Sequence, residues 1–263
     1  MYKVSEQLVS SSFSNIYLAI KNSTLEEVVI KSVFTDADSL EQAKNEISLL
    51  SNLSHKNVVK MLDYRISDDQ IALVLEYVVG GDLFDLLTKQ KLNSTEQKLI
   101  FKQLTEGILY LHTLNVVHRD LKLENILLSR KNNLVQQKTA DLVKICDFGL
   151  AHEVDESIPK GGSDYYLAPE LITSIDTSNS AGIDLYKVDT WALGVILFAL
   201  MTGELPFYGK RSKLFLKIAI GKYNLPTSAE IDDDGKDLVK NLLQTNPSCR
   251  FNAQDILNHR WFK

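Results

Sequence analysis

Cysteine is nearly absent from this chain of 263 residues: only Cys146 and Cys249 occur, far apart and in neither a C-x-x-C pair nor a histidine cluster. That excludes a disulfide-stapled scaffold, offers no zinc site and points to a reducing, intracellular and cytoplasmic setting. Glycine (12) and proline (5) are scarce, which leaves no room for a collagen-like or low-complexity chain. Positive charge is not in excess either. With 29 Lys+Arg against 34 Asp+Glu the net charge is -5, which argues against a general nucleic-acid binder. Long apolar runs are missing too: the longest, Trp191 to Met201, has 11 residues. A bilayer span needs about 20, so this run reads as a buried core helix and no membrane partner is expected. The first residues, MYKVSEQLVSSSF, lack a basic stretch followed by an apolar one, so no secretory signal is evident. No repeat appears at periods of roughly 20 to 50 residues.

What remains is a globular chain, 44% hydrophobic, long enough for one large domain or two lobes. Its texture changes once, near Gly80-Gly81. Before that point β-type runs dominate: Asn15 to Ile20, Glu27 to Val33, Asn57 to Tyr64 and Ile71 to Tyr77. One helix interrupts them, Ser39 to Leu53, with apolar residues at 40, 43, 47, 50 and 53. After that point helical patterns take over. Ser94 with Gln97 reads as a capping box for a long amphipathic helix, and further helices are expected at 187–202, 211–220, 234–244 and 252–259. The polar stretches 129–141 and 174–184 read as surface loops.

The densest chemical signal is His118-Arg119-Asp120-Leu121-Lys122-Leu123-Glu124-Asn125, followed by Asp147-Phe148-Gly149 and then Ala168-Pro169-Glu170. Each fragment alone is a weak signal. In this order they resemble the eukaryotic protein kinase family. Val28-Val29-Ile30-Lys31, Glu46 on the helix read at 39–53, Asp189-Thr190-Trp191-Ala192-Leu193-Gly194 and Arg250 extend the resemblance over the whole chain. It implies an α+β fold, the bilobal protein kinase fold, with a small antiparallel sheet lobe of five strands and one helix (1–78) and a larger helical lobe (79–263). It also implies ATP and Mg²⁺ as cofactors, protein substrates, and a monomeric catalytic domain whose regulatory partner the sequence does not name. GGDLFDLL, HRDLKLENILL and the ending at 256–262 look most like the calcium/calmodulin-dependent group, with its calcium-dependent and AMP-activated relatives.

The resemblance carries roles residue by residue. Lys31 would grip the α- and β-phosphates and be held by Glu46; Asp147 and Asn125 would hold Mg²⁺. Asp120 would accept the proton of the substrate hydroxyl, and Lys122 would steady the transferred phosphate. Lys122 after Leu121 marks the serine/threonine class, and Ser163 fits it. Leu75 is the gatekeeper, Glu76, Tyr77 and Val78 the hinge, and Ile16, Val29 and Leu127 the walls around adenine. Asp82 would reach the ribose or a basic substrate residue, and with Glu124 it favours substrates with Arg or Lys before the phosphosite. Cys146 would face the back of the nucleotide pocket, as a thiol open to an electrophile or as inert packing.

Two departures open alternatives. The family's glycine-rich loop aligns with Leu8 to Ile16, and Val9, Ser11 and Ser14 stand where it has glycine. Glycine permits close approach of backbone N–H groups to phosphate, so weaker ATP binding or a slower rate is expected. A pseudokinase scaffold with weak nucleotide binding is therefore the alternative function. A pure interaction domain is a third, separable by its failure to be stabilised by Mg-ATP. In the activation segment Pro159 stands where relatives place a phosphorylated Thr, for which Arg119 and His152 would form the clamp. Asp155 or Glu156 is the expected substitute, with Ser157 and Ser163 the remaining hydroxyls.

Overall fold

Five strands open the chain and hydrogen-bond in the order β1-β2-β3-β5-β4, all antiparallel: β1 (Tyr2–Ser10), β2 (Ser14–Lys21), β3 (Glu27–Phe34), β4 (Met61–Ile66) and β5 (Gln70–Glu76). The computed structural model describes residues 1–11, 14–34, 37–67, 70–129, 142–154, 162–177, 182–226 and 231–263. The register puts Ile16, Lys31 and Leu73 in one row and Leu18, Val29, Leu75 and Met61 in the next. Side chains alternate between faces along a strand, so Val29, Lys31 and Val33 share the inward face. Helix α1 (Ala37–Asn52) packs there through Ala43, Ile47 and Leu50.

The first strand escaped the sequence pattern because nearly all of it is exposed, leaving no apolar alternation to read. The run at 57–64 is strand only from Met61. Asn57 is buried and its side-chain amide donates to the Val143 carbonyl at 2.9 Å, so this segment is a connector pinned to the second half of the chain.

Beyond Gly81 come α2 (Leu83–Lys89), α3 (Ser94–Thr113), α4 (Pro169–Thr177), α5 (Leu185–Thr202), α6 (Arg211–Ala219), α7 (Asp233–Leu242) and α8 (Ala253–Asn258). The α3 capping box is Asn93 with Glu96, one residue before the expected Ser94 and Gln97. The Asn93 carboxamide accepts the Glu96 N–H and the Glu96 carboxylate accepts the Asn93 N–H, which leaves Gln97 to donate to the Leu92 carbonyl. Helix α4 continues through Thr177, so part of the stretch expected to be a loop from 174 is helical; 130–141 and 178–181 lie outside the described residues.

Helix α5 is the buried axis of this half, long and apolar enough to cross a membrane by composition, yet packed on α3 and α7. A Cβ on Gly194 would stand 2.8 Å from Leu242 Cβ, so glycine is what lets α5 and α7 approach. Gly203, at φ 77°, ends α5 in the left-handed conformation that glycine adopts without strain. Four short strands bear on the site: β7 (Ile126–Leu128) pairs with β8 (Val143–Ile145), and β6 (Val116–Val117) with β9 (His152–Glu153).

Candidate active site

The β7–β8 register pairs Ile126 with Ile145, so the residues just outside the ladder, Asn125 and Cys146, are drawn together, and the Cys146 N–H donates to the Asn125 carbonyl at 3.0 Å. Asp147 follows with φ 63°, in the left-handed region that a non-glycine residue occupies only when its surroundings hold it there. Its carboxylate then faces the Lys31 ammonium at 2.8 Å, a partner 116 residues away.

Lys31 is held from the other side by Glu46, at 2.7 and 3.0 Å to its two oxygens. Glu46 is buried, and it also accepts the Phe148 N–H at 3.3 Å, so α1, β3 and the 147–149 turn share one cluster. Burial by itself would lower the Lys31 pKa, but the two carboxylates outweigh it and the ammonium stays charged. The Lys31 ammonium in turn holds the Asp147 carboxyl at about 2 against the opposing effect of burial. Phe148 is fully buried, its ring edge-on to His118 at 5.0 Å, and Asn45 of α1 donates to the Ala151 carbonyl at 2.6 Å.

Asp120 stands at the centre of a second cluster. Lys122 donates to one carboxylate oxygen at 2.6 Å; the Ser163 hydroxyl and N–H donate to the other at 2.9 and 3.1 Å. Burial opposes the charged form of Lys122, but the bond to Asp120 and the nearby carboxylates prevail and raise its pKa. The Asn125 amide nitrogen donates to the Asp120 carbonyl at 2.8 Å, which turns its carboxamide oxygen away. Among the described residues, that oxygen and the second oxygen of Asp147 accept no hydrogen bond. Two open oxygen donors, one anionic, suit Mg²⁺, which keeps several waters and takes its remaining ligands from phosphate.

The sequence reasoning did not assign what supports these residues. Asp189, buried inside α5, accepts the His118 and Arg119 backbone N–H groups at 2.9 Å each, and His112 Nε2 lies 3.0 Å from it. Burial would raise its pKa, but the His112 contact and the His118 N–H overcome that and lower it. The signal was present: a charged residue within an apolar helix must be paired. This anchor holds Arg119 at φ 65° next to Asp120. Arg119 and His152 are both buried, and Arg119 Nη1 donates to the Leu150 carbonyl at 3.4 Å. Asp155, Glu156, Ser157 and Pro159 lie outside the described residues.

Around the expected nucleotide slot, Leu75 is buried and Ile16, Val29 and Leu127 are partly buried, while Val9 is 51% exposed and pairs with Ile16 in the β1–β2 register. The Glu76 N–H is spent on the Lys60 carbonyl at 2.9 Å and its carboxylate on Lys144 at 2.8 Å. Its side chain therefore fastens the hinge. Among the described residues no hydrogen bond engages the backbone of Tyr77 or Val78. Asp82 caps α2, accepting the Asp85 N–H through Oδ1 at 2.7 Å; α2 packs on the 3₁₀ turn Leu123–Asn125, which exposes Glu124.

Cys146 is partly buried, and burial pushes its thiol pKa up, which disfavours the nucleophilic thiolate. Iodoacetamide at neutral pH should label the exposed Cys249 well before Cys146. Peptide mass mapping that found Cys146 modified first would contradict this.

A family profile described as protein kinase domain matches residues 2–262. A probable myosin light chain kinase of Dictyostelium discoideum is 33% identical over 267 residues, covering 99% of this chain and 82% of that protein. CBL-interacting serine/threonine-protein kinase 13 of Arabidopsis thaliana is 34% identical over 277 residues, and calcium-dependent protein kinase 4 of Plasmodium falciparum is 35% identical over 276. Each of these two alignments covers 100% of this chain, which spans 51% and 49% of their respective lengths.

Proposed function

Since the chain belongs to the protein kinase domain family, among its serine/threonine kinases, we propose that it transfers the γ-phosphate of ATP to Ser or Thr hydroxyls of protein substrates. The observation that carries this reading is the meeting of Lys31 with Glu46 and Asp147 within 3.0 Å. Asp120 stands in a second cluster, bonded to Lys122 and Ser163. Phosphoryl transfer asks mainly for positioning and charge neutralisation, and these groups supply both.

Asp120 orients the acceptor hydroxyl and takes its proton as the oxygen bonds to the γ-phosphorus. The bond from that phosphorus to the bridging oxygen breaks, and ADP leaves with the electron pair. Lys31, fixed by Glu46, holds the α- and β-phosphates. Lys122, kept charged beside Asp120, faces the charge on the transferred group. Asp147 and Asn125 would hold Mg²⁺, whose charge would neutralise the phosphate oxygens. The backbone of Tyr77 and Val78 supplies the polar edge for adenine, with Ile16, Val29 and Leu127 as its walls. Two free thiols are compatible with a reducing cytoplasmic setting.

Asp82 and Glu124 support a preference for basic residues N-terminal to the phosphosite. In an arrayed peptide library, Arg before the acceptor should raise kcat/KM, and Glu124→Gln should cut that advantage by roughly 2- to 5-fold while sparing neutral peptides. Equal turnover of acidic and basic peptides by the parent would refute it. One observation favours a second reading, a scaffold that binds nucleotide weakly: serines replace glycines at 11 and 14. Stabilisation by Mg-ATP with no phosphotransfer to any peptide would select the scaffold.

A further inference from the structure

Where β1 gives way to β2, the Ser11 side chain is bonded to Ser14. The Ser11 N–H donates to the Ser14 carbonyl at 2.9 Å, and the Ser11 hydroxyl donates to the same carbonyl at 2.8 Å. That hydroxyl also accepts the Ser14 N–H at 2.9 Å. Its base is tied as well: the Ser10 hydroxyl donates to Asn15 Oδ1 at 3.0 Å, and the Asn15 amide donates to the Tyr17 hydroxyl at 3.0 Å. The β2–β3 register places Ser14 opposite Val33 and Ile16 opposite Lys31, so Ser14 lies two residues along β2 from the partner of the lysine read as phosphate-binding.

Position 11 is where the kinase pattern has a glycine, which can make neither side-chain bond. The loop in that pattern lies over the nucleotide phosphates, and backbone N–H groups are ready donors to an anion. Here the Ser14 N–H already has an acceptor, which is neutral and local.

We propose that Ser11 is a positioning residue that weakens phosphate binding: its hydroxyl occupies the Ser14 N–H as an internal acceptor, and a nucleotide phosphate must displace it. This rests on the ATP-binding reading above. It differs from a steric effect, in which any side chain at 11 would hold the loop off the phosphates. A charged phosphate oxygen makes the stronger bond, so displacement is favourable, but the gain is the difference between two hydrogen bonds. Adenosine carries no phosphate, so its binding does not compete with the Ser11 hydroxyl for the Ser14 N–H.

The test is calorimetric binding of Mg-ATP and of adenosine to the parent and to Ser11→Ala, Ser11→Gly and Ser11→Thr. Ser11→Ala keeps the Cβ and removes the hydroxyl. It should tighten Mg-ATP by roughly 3- to 10-fold, the worth of one ordinary hydrogen bond, with adenosine unchanged. Ser11→Thr restores a hydroxyl and should bind Mg-ATP as the parent does. Tightening in Ser11→Gly but not in Ser11→Ala would overturn the proposal in favour of bulk. Weaker Mg-ATP binding in Ser11→Ala would overturn it by making the hydroxyl a phosphate donor. If the parent binds neither ligand, the ATP-binding reading falls and takes this one with it. If the parent binds both and Ser11→Ala changes neither, only the role of Ser11 falls.

Discussion

Asp147→Asn should lower phosphotransfer from Mg-ATP to a basic peptide by at least about 10³-fold while leaving the fold in place. The expected loss is electrostatic. Asp147 brings an anionic oxygen beside Lys31 and leaves a second one open, and an amide supplies neither negative charge nor a strong cation ligand. The fold is spared because asparagine accepts a left-handed backbone better than most residues, and φ here is 63°. The carboxylate is also 44% exposed, so no buried volume is lost. Radiometric transfer assays beside thermal melts of the same preparation provide the check. Activity within tenfold of the parent would remove Asp147 from the reaction.

The pH dependence follows from the same pair. The folded pKa of Asp147, about 2, lies below its ordinary value of 3.8, so the stabilisation drawn from Lys31 is fully present above that ordinary value. It is lost as pH falls through about 2. Asp147 therefore stays ionised across any working range, and an acid limb in the pH–rate profile near neutrality belongs to another group.

Arg250→Met should destabilise the protein by about 3–5 kcal/mol, the usual consequence of orphaning one member of a buried ion pair. The Arg250 side chain has 0% exposure and grips Glu170 through two bonds of 2.7 and 3.0 Å. It also donates to the carbonyls of Gln244 and Lys187 at 2.9 and 2.6 Å and stacks over Trp191 at 5.0 Å. Methionine fills part of the volume and leaves the Glu170 carboxylate and two carbonyls without these donors. For a domain of this size, a fall in Tm of roughly 10 °C follows. Glu170 lies in the first turn of α4, just beyond the segment that bonds Asp120, so activity should fall together with stability. Arg250→Met combined with Glu170→Met should recover part of the loss, because no buried charge is then left alone. A drop in Tm under 2 °C for the single variant would contradict the account.

The elements legible in the sequence were those whose burial is periodic or continuous. Helix α3 shows its apolar face and α5 its unbroken apolar run, and both lie within a residue or two of where the pattern put them. Strand β1 was illegible because exposure leaves no alternation, and residues 57–60 misled because their apolar and β-branched types serve a buried connector. At the site, the residue types of 118–125 and 147–149 were enough to name the family. The anchor at Asp189 and the bonds from Ser163 to Asp120 were not read, since neither depends on a neighbour along the chain.

The sequence alone determined which chemical groups are available: one lysine, its candidate carboxylate partners, an oxygen-donor pair, and serines where a phosphate loop has glycines. These are properties of residue type and short spacing, acting over a few positions of backbone. Only the tertiary structure decided which of them meet. Lys31 and Asp147 touch because strand register and the β7–β8 ladder deliver them to one point across 116 positions. Asp147 and Arg119 hold positive φ because buried partners fix their surroundings. The scarcity of glycine at 11 and 14, legible from the start, acquired its physical meaning in the same way: a hydroxyl reaches the Ser14 N–H only once the hairpin has folded.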